Sequence, residues 1–429
     1  MALMSARPSH ASTHPCLPIV PREAVLRLQA SRIREVANSG IGRADVLPFW
    51  FGEPDLATPQ FIRDAAVAAL ADGDVFYTSN LGIMPLRETI AGYLSRLHPA
   101  RGAIGAERMA VTSSGVSALM IAAQTLMAPG DRVVIVTPVW PNLTEAPKIL
   151  GANVVCVPLD CNDGAWSLAT DKLIEALVPG TKALVLNSPN NPTGWVIARE
   201  QQQAILEHCR RLGIWIVADD VYERIVFDDE TAPDRGLLCA PSFLDIAETE
   251  DRLIVANSFS KSWLMTGWRL GWLVSPQGRD GATLTDHFGK LIEYNSSCAP
   301  GFVQRAGIVA IEFGEPVIAA TVARYRAARD HLCARLATLA QHHPCMEVAR
   351  PAGAMYVFFK LALPGLDSLA LCKRLVAEAG LGLAPGVAFS GGASGDACEG
   401  YLRWCIASSV ERIDEGVDRL TRFLQTVQR

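Results

Sequence analysis

The 429-residue sequence has no CxxC pair among its eleven cysteines, and its eight histidines form neither an HxH nor an HExxH spacing. Without those ligand patterns no metal site is expected, and thiols scattered from Cys16 to Cys405 suit a reduced, cytoplasmic protein. There is no long basic tract, and a formal net charge of −5 offers nothing to a nucleic-acid backbone. No run reaches about eighteen apolar residues without a polar interruption, and the opening MALMSARPSHASTHPCLPIV lacks a continuous apolar segment. Neither a membrane span nor secretion is expected.

What is present is apolar bulk: 50% of the residues are hydrophobic, enough for one large and one smaller domain. Residues 1 to about 20 read as a loose arm, and PREAVLRLQASRIREVANSG reads as one helix with Pro21 at its start and Gly40 at its end. RVVIVTP, NVVCVPL, ALVLNSP, WIVADD, LIVANS and LGWLVS each read as a buried strand, and intervening segments such as REQQQAILEHCRRLG read as helices. That alternation predicts an α/β fold with a mainly parallel sheet covered on both faces. After about residue 300 a long helical stretch, strand candidates AMYVFFKL and YLRWCIA, and a final amphipathic helix predict an α+β domain. In the last helix Ile413, Val417, Leu420 and Leu424 form one stripe, and Ser408 with Glu411 resembles a capping box. The expected division is an arm and helix over 1–50, packing with the small domain or a partner subunit, a large domain over 51–300 and a small domain over 301–429.

Chemistry gathers at the strand ends, where open parallel sheets bind ligands. In NSFSKSWLMTGWRLG, Ser258, Ser260 and Lys261 follow a strand and Arg269 lies eight residues on. A lysine amine becomes a useful nucleophile when desolvation or nearby cations lower its pKa, and an arginine can chelate a phosphate. A snorkelling lysine and a surface arginine would satisfy the same spacing. In VTSSGVSALMIAAQTLMAPG, Ser114 and Gly115 begin an apolar helix, which suits either an anion site or a plain N-cap. LNSPNNPTGW is a rigid turn able to hold the Asn191 amide as a donor, or a turn and nothing more. WIVADDVYERIVF sets Asp219 and Asp220 side by side, with Tyr222 just beyond; paired acids there need a cation or a proton.

Together SxSKxxxxxGWRxG, NNPTG and ADxVY resemble the pyridoxal phosphate dependent aminotransferases of class I and II, the fold-type I group, over roughly Asp45 to the C-terminus. The resemblance implies a large domain with a mainly parallel seven-stranded sheet and a smaller α+β domain. It implies that Lys261 binds the aldehyde of pyridoxal 5′-phosphate and then moves a proton at the substrate Cα. Asp219 matches the carboxylate facing the pyridine nitrogen; Asn191 and Tyr222 match the donors to the phenolic oxygen. Ser114, Gly115, Val116, Ser258, Ser260 and Arg269 match positions around the phosphate, Val116 through its backbone N–H alone. Trp140 matches the aromatic stacked on the ring, and Tyr77 a tyrosine that reaches the neighbouring subunit's phosphate, which implies a homodimer. Gly52 in WFGEPDLATP and Arg403 in YLRWCIASS match the groups that meet the substrate α-carboxylate, although alternation alone would turn Arg403 to solvent. Trp140 and Asn191 would also touch the substrate.

The implied activity is ping-pong transfer of an amino group from an L-amino acid to a 2-oxo acid, with no metal. Related enzymes that eliminate across a C–S bond, and binding proteins without turnover, are the alternatives; retention of Lys261, Asp219 and Arg403 argues against the latter. The glycine-rich stretch from Gly380 to Gly395 is expected near the mouth of the site rather than around a nucleotide. Val116 stands where aspartate-using bacterial relatives carry a lysine, which favours apolar, aromatic or small side chains, whereas Trp140-Pro-Asn resembles the aspartate-preferring branch.

Overall fold

The computed structural model describes residues 20–227, 237–249, 251–392 and 398–427. The expected N-terminal arm, apart from its last residue, and the end of the glycine-rich stretch lie outside them. All six β-branched runs form strands of one sheet, joined by a seventh, Met109–Thr112, that the sequence reading did not single out. In chain order these are β1 (Met109–Thr112), β2 (Arg132–Thr137), β3 (Asn153–Pro158), β4 (Thr181–Asn187), β5 (Trp215–Asp219), β6 (Leu253–Ser258) and β7 (Gly271–Val274). Their spatial order is β1-β7-β6-β5-β4-β2-β3, with β7 antiparallel to both neighbours and the other pairings parallel. Nearly every residue of β1, β2, β4, β5, β6 and β7 is buried, as continuous apolar runs covered on both faces require.

This order brings the carboxyl ends of β1, β4, β5 and β6 to one side of the sheet. Each end leads straight into a motif: Ser114-Gly115, Asn187 to Asn191, Asp219 to Tyr222, and Ser258 to Lys261.

The second sheet is antiparallel and four-stranded: Met346–Val348, Tyr356–Leu361, Tyr401–Cys405 and Ala384–Pro385 in spatial order. Helix Val410–Val427 buries Ile413, Val417, Leu420 and Leu424, the expected stripe. Its cap is one residue later than expected: Ser409 Oγ accepts from Arg412 N at 3.3 Å, while Ser408 Oγ turns to Asp55. Leu47–Pro48 pairs with Leu381–Gly382, so the N-terminal region joins this second unit.

The single helix expected over 21–40 is two, Glu23–Leu26 and Arg32–Asn38. Ser31 Oγ accepts from Arg34 N at 3.3 Å, and this cap starts a new helix in the middle of the periodic run. Among the described residues no single helix is long and apolar enough to cross a membrane.

Candidate active site

A cavity of about 560 Å³ opens at the carboxyl ends of the strands. Gly52, Gly115, Val116, Trp140, Asn191, Asp219, Tyr222, Ser258, Ser260, Lys261, Arg269 and Arg403 all line it. Ser114 sits just behind as the N-cap of helix Gly115–Leu126, accepting from Ser117 N at 3.0 Å. Tyr77 is elsewhere, 88% exposed and away from the cavity of its own chain.

One wall is built to receive an anion. Helix Gly115–Leu126 starts against β6 and β7, so a Cβ on Gly271 would stand 2.6 Å from Gly115 N and one on Gly115 3.0 Å from Ser258 Cβ. Only glycines allow this approach, which presents the helix N-terminus to the cavity. Ser258 Oγ and Ser260 Oγ are 2.8 Å apart beside it. Arg269 adopts a left-handed backbone (φ 58°), and its Nη1 donates to Thr266 O at 2.7 Å. Burial lowers the Arg269 pKa, and no carboxylate among the described residues compensates it.

The floor carries the reactive pair. Lys261 Nζ donates to Gly52 O at 2.5 Å and lies 5.9 Å from the Tyr222 ring centroid. Burial, helped by the Arg403 and Arg269 cations, lowers its pKa to about 8. Asp219 is buried and accepts a 3.4 Å bond from Val221 N; desolvation pushes its pKa up to about 7, against the pull of Lys261. Its neighbour Asp220 points elsewhere, accepting from Ser242 Oγ at 2.8 Å, with burial raising its pKa to about 8. Adjacent residues at a strand end face opposite sides, so only Asp219 lines the cavity.

Arg403 departs from its local alternation: it is 2% exposed, on the strand Tyr401–Cys405. Its guanidinium lies 4.3 Å from the Tyr356 ring centroid and 4.9 Å from that of Phe389. Nη1 donates to Asn191 Oδ1 at 2.8 Å and Nη2 to Trp50 O. Nε is buried without a hydrogen-bond partner. A buried, orphaned guanidinium donor is costly unless an acceptor arrives. With its oxygen held by Arg403, the Asn191 amide has Nδ2 left to donate, as expected.

Several site residues had escaped the sequence reading. Tyr356 Oη hydrogen-bonds Tyr222 Oη at 2.7 Å, and burial raises the pKa of both phenols, that of Tyr356 to about 12. Asn187 Oδ1 accepts from Asn191 N at 2.8 Å while its Nδ2 donates to Asp219 O at 3.0 Å, tying two strand ends together. The Asn-x-x-x-Asn spacing in LNSPNN was the available signal. Ser31, Ile33, Arg34 and Phe51 also line the cavity, and the sequence reading assigned them no role there. Gly52 is packed so closely that an added Cβ would fall 1.9 Å from Tyr356 Oη. Gly52→Ala is therefore expected to displace Tyr356, break its bond to Tyr222 and lower kcat/KM by about 10- to 100-fold, which steady-state kinetics would measure.

A buried amine, a helix N-terminus beside Arg269 and a guanidinium with an unpaired donor share one cavity, a constellation suited to an enzyme acting on anionic ligands. The family model for aminotransferase class I and II matches residues 44–420. A probable N-acetyl-LL-diaminopimelate aminotransferase of Bacillus subtilis is 29% identical over 398 residues, 92% of this chain and 94% of its own. An aspartate aminotransferase of Thermotoga maritima is 31% identical over 382 residues, 89% of this chain and 92% of its own. The crystal structure of Thermotoga maritima aspartate aminotransferase superposes with a TM-score of 0.81 at 30% identity, covering 94% of this chain and 100% of that one.

The chain belongs to the class I and II aminotransferases. It has the fold-type I architecture and is a pyridoxal 5′-phosphate dependent transaminase acting on amino acids and 2-oxo acids. The residues of the cavity fit that cofactor: Asp219 is a buried carboxyl suited to a ring nitrogen, and Arg269 is a cation at the cavity wall suited to a phosphate.

Proposed function

We propose that Ser114, Gly115, Val116, Ser258, Ser260 and Arg269 hold the cofactor phosphate, Asp219 its ring nitrogen, Asn191 and Tyr222 its phenolic oxygen, and Trp140 its ring face. The observation that carries this reading is one cavity lined by the buried Lys261 amine, the buried Asp219 carboxyl and Arg269, with the N-terminus of helix Gly115–Leu126 on its wall. Pyridoxal 5′-phosphate supplies an aldehyde that carries the amino group and a ring that accepts the electron pair released at the substrate Cα.

The protein's part is placement and proton transfer. Arg403, fixed by Asn191 and Trp50, grips the α-carboxylate, with its unpaired Nε as a further donor. With the cofactor bound, Lys261, whose pKa burial lowers to about 8 in the cofactor-free protein, would take the Cα proton and return it. Asp219, facing the ring nitrogen, would favour that nitrogen's protonated form by charge pairing. Tyr356 holds Tyr222 in place.

The active form is a homodimer. Val75, Phe76, Tyr77 and Tyr294 are among the exposed large apolar side chains, and burial against a second copy would cover them. Tyr77 then serves the neighbour's phosphate. The free cysteines among the described residues suit the cytoplasm.

A half-reaction tests the transaminase reading. Protein loaded with pyridoxal 5′-phosphate is expected to lose its visible absorbance on adding an amino donor and regain it with a 2-oxo acid. Ammonia and pyruvate released from one amino acid without a second oxo acid would indicate elimination instead.

A further inference from the structure

Once Lys261, Asp219 and Arg269 are given to the cofactor and Arg403 to the α-carboxylate, two charged side chains of the cavity remain, Arg34 and Glu53. We propose that Arg34 reads the far end of the substrate, binding a side-chain carboxylate such as those of glutamate, aspartate and their 2-oxo acids. The proposal rests on the site assignment above and adds to it a residue that selects the substrate.

Arg34 is held in place by its own helix. Ser31 caps Arg32–Asn38, while Ile33, Val36 and Ala37 bury the opposite face. The other charges of this helix are already used: Arg32 pairs with Glu35 at 3.2 Å, and Glu35 with Lys373 at 2.6 Å, fastening the helix to Ser368–Ala379. Arg34 alone among them meets no carboxylate of the described residues. Its Cζ instead lies 5.3 Å from the Phe51 ring centroid.

A guanidinium resting on an aromatic ring keeps its edge donors free, and that edge matches the two oxygens of a carboxylate. Phe51 precedes Gly52, whose carbonyl accepts from Lys261, so Arg34 stands over the wall next to the reacting amine. Val116, also in the lining, has no charge to offer a distal carboxylate. The apolar surface of Phe51, Ile33 and Leu119 leaves room for uncharged side chains too, so the same pocket serves an apolar donor and a dicarboxylate acceptor in turn.

The experiment compares kcat/KM for glutamate with that for alanine, and for 2-oxoglutarate with that for pyruvate, in the cofactor-loaded enzyme and two variants. Arg34→Leu is expected to lower both ratios by about 10- to 100-fold, the scale of a lost charge-assisted contact. Arg34→Lys, which keeps the charge but loses the fork, is expected to lower them several-fold less. Unaltered ratios, or equal losses on all four substrates, overturn the assignment of Arg34 while the aminotransferase reading stands. A preference for lysine or arginine that survives Arg34→Leu would assign the far end to Glu53 and likewise overturn it.

Discussion

Lys261→Ala loses transamination by about 10⁴-fold or more, because one substitution removes both the cofactor's attachment point and the proton carrier. Borohydride treatment of the loaded enzyme fixes the cofactor at Lys261, and the variant takes no label there. Melting behaviour shows that the variant still folds; turnover by the folded, unlabelled variant would end the assignment. The lowered pKa adds a pH dependence. Only the neutral amine attacks an aldehyde, so cofactor capture by the cofactor-free protein rises with pH and levels off above about 8. Stopped-flow absorbance reads that rise directly.

Asp219→Asn is expected to lower turnover by about 10²- to 10⁴-fold, since an amide cannot hold the ring nitrogen protonated. The same change should stabilise the cofactor-free protein. Burial raises the Asp219 pKa to about 7, well above the ordinary carboxylate range, so the folded state binds a proton there that the unfolded state has released. Stability from this group is full below the unfolded value and is lost as pH rises through about 7. The variant's melting temperature should therefore exceed that of the unsubstituted protein at pH 8, and the gap should narrow toward pH 5. A lower melting temperature at pH 8 would mean that the carboxylate is already compensated by the protein. Function here opposes stability: the group that tunes the cofactor is a burden until the cofactor arrives.

Much of the site was readable because its signals are local. Six of the seven strands announced themselves as β-branched runs; Asp219 ends one strand, and Ser114, Asn191 and Lys261 lie within four residues of the ends of others. The seventh, Met109–Thr112, reads MAVT, with only its last two residues β-branched, and leads into Ser114-Gly115 at the start of the next helix. Ser31 and Ser409 show the limit of local rules in another way. Each stands one choice among several polar residues near a helix start, and packing decided which one capped it.

By itself the sequence determined the strands of the sheet and the family, and it singled out Lys261 and the Ser114-Gly115 turn as candidates, since these depend on residue types at short spacing. Tertiary structure alone decided which way side chains face. It turned Asp219 into the cavity and Asp220 away from it, buried Arg403 between two aromatic rings, joined Tyr356 to Tyr222, and brought Arg34 over Phe51. Those outcomes rest on contacts between segments far apart in the chain, and their energies come from burial and charge compensation that no short stretch contains.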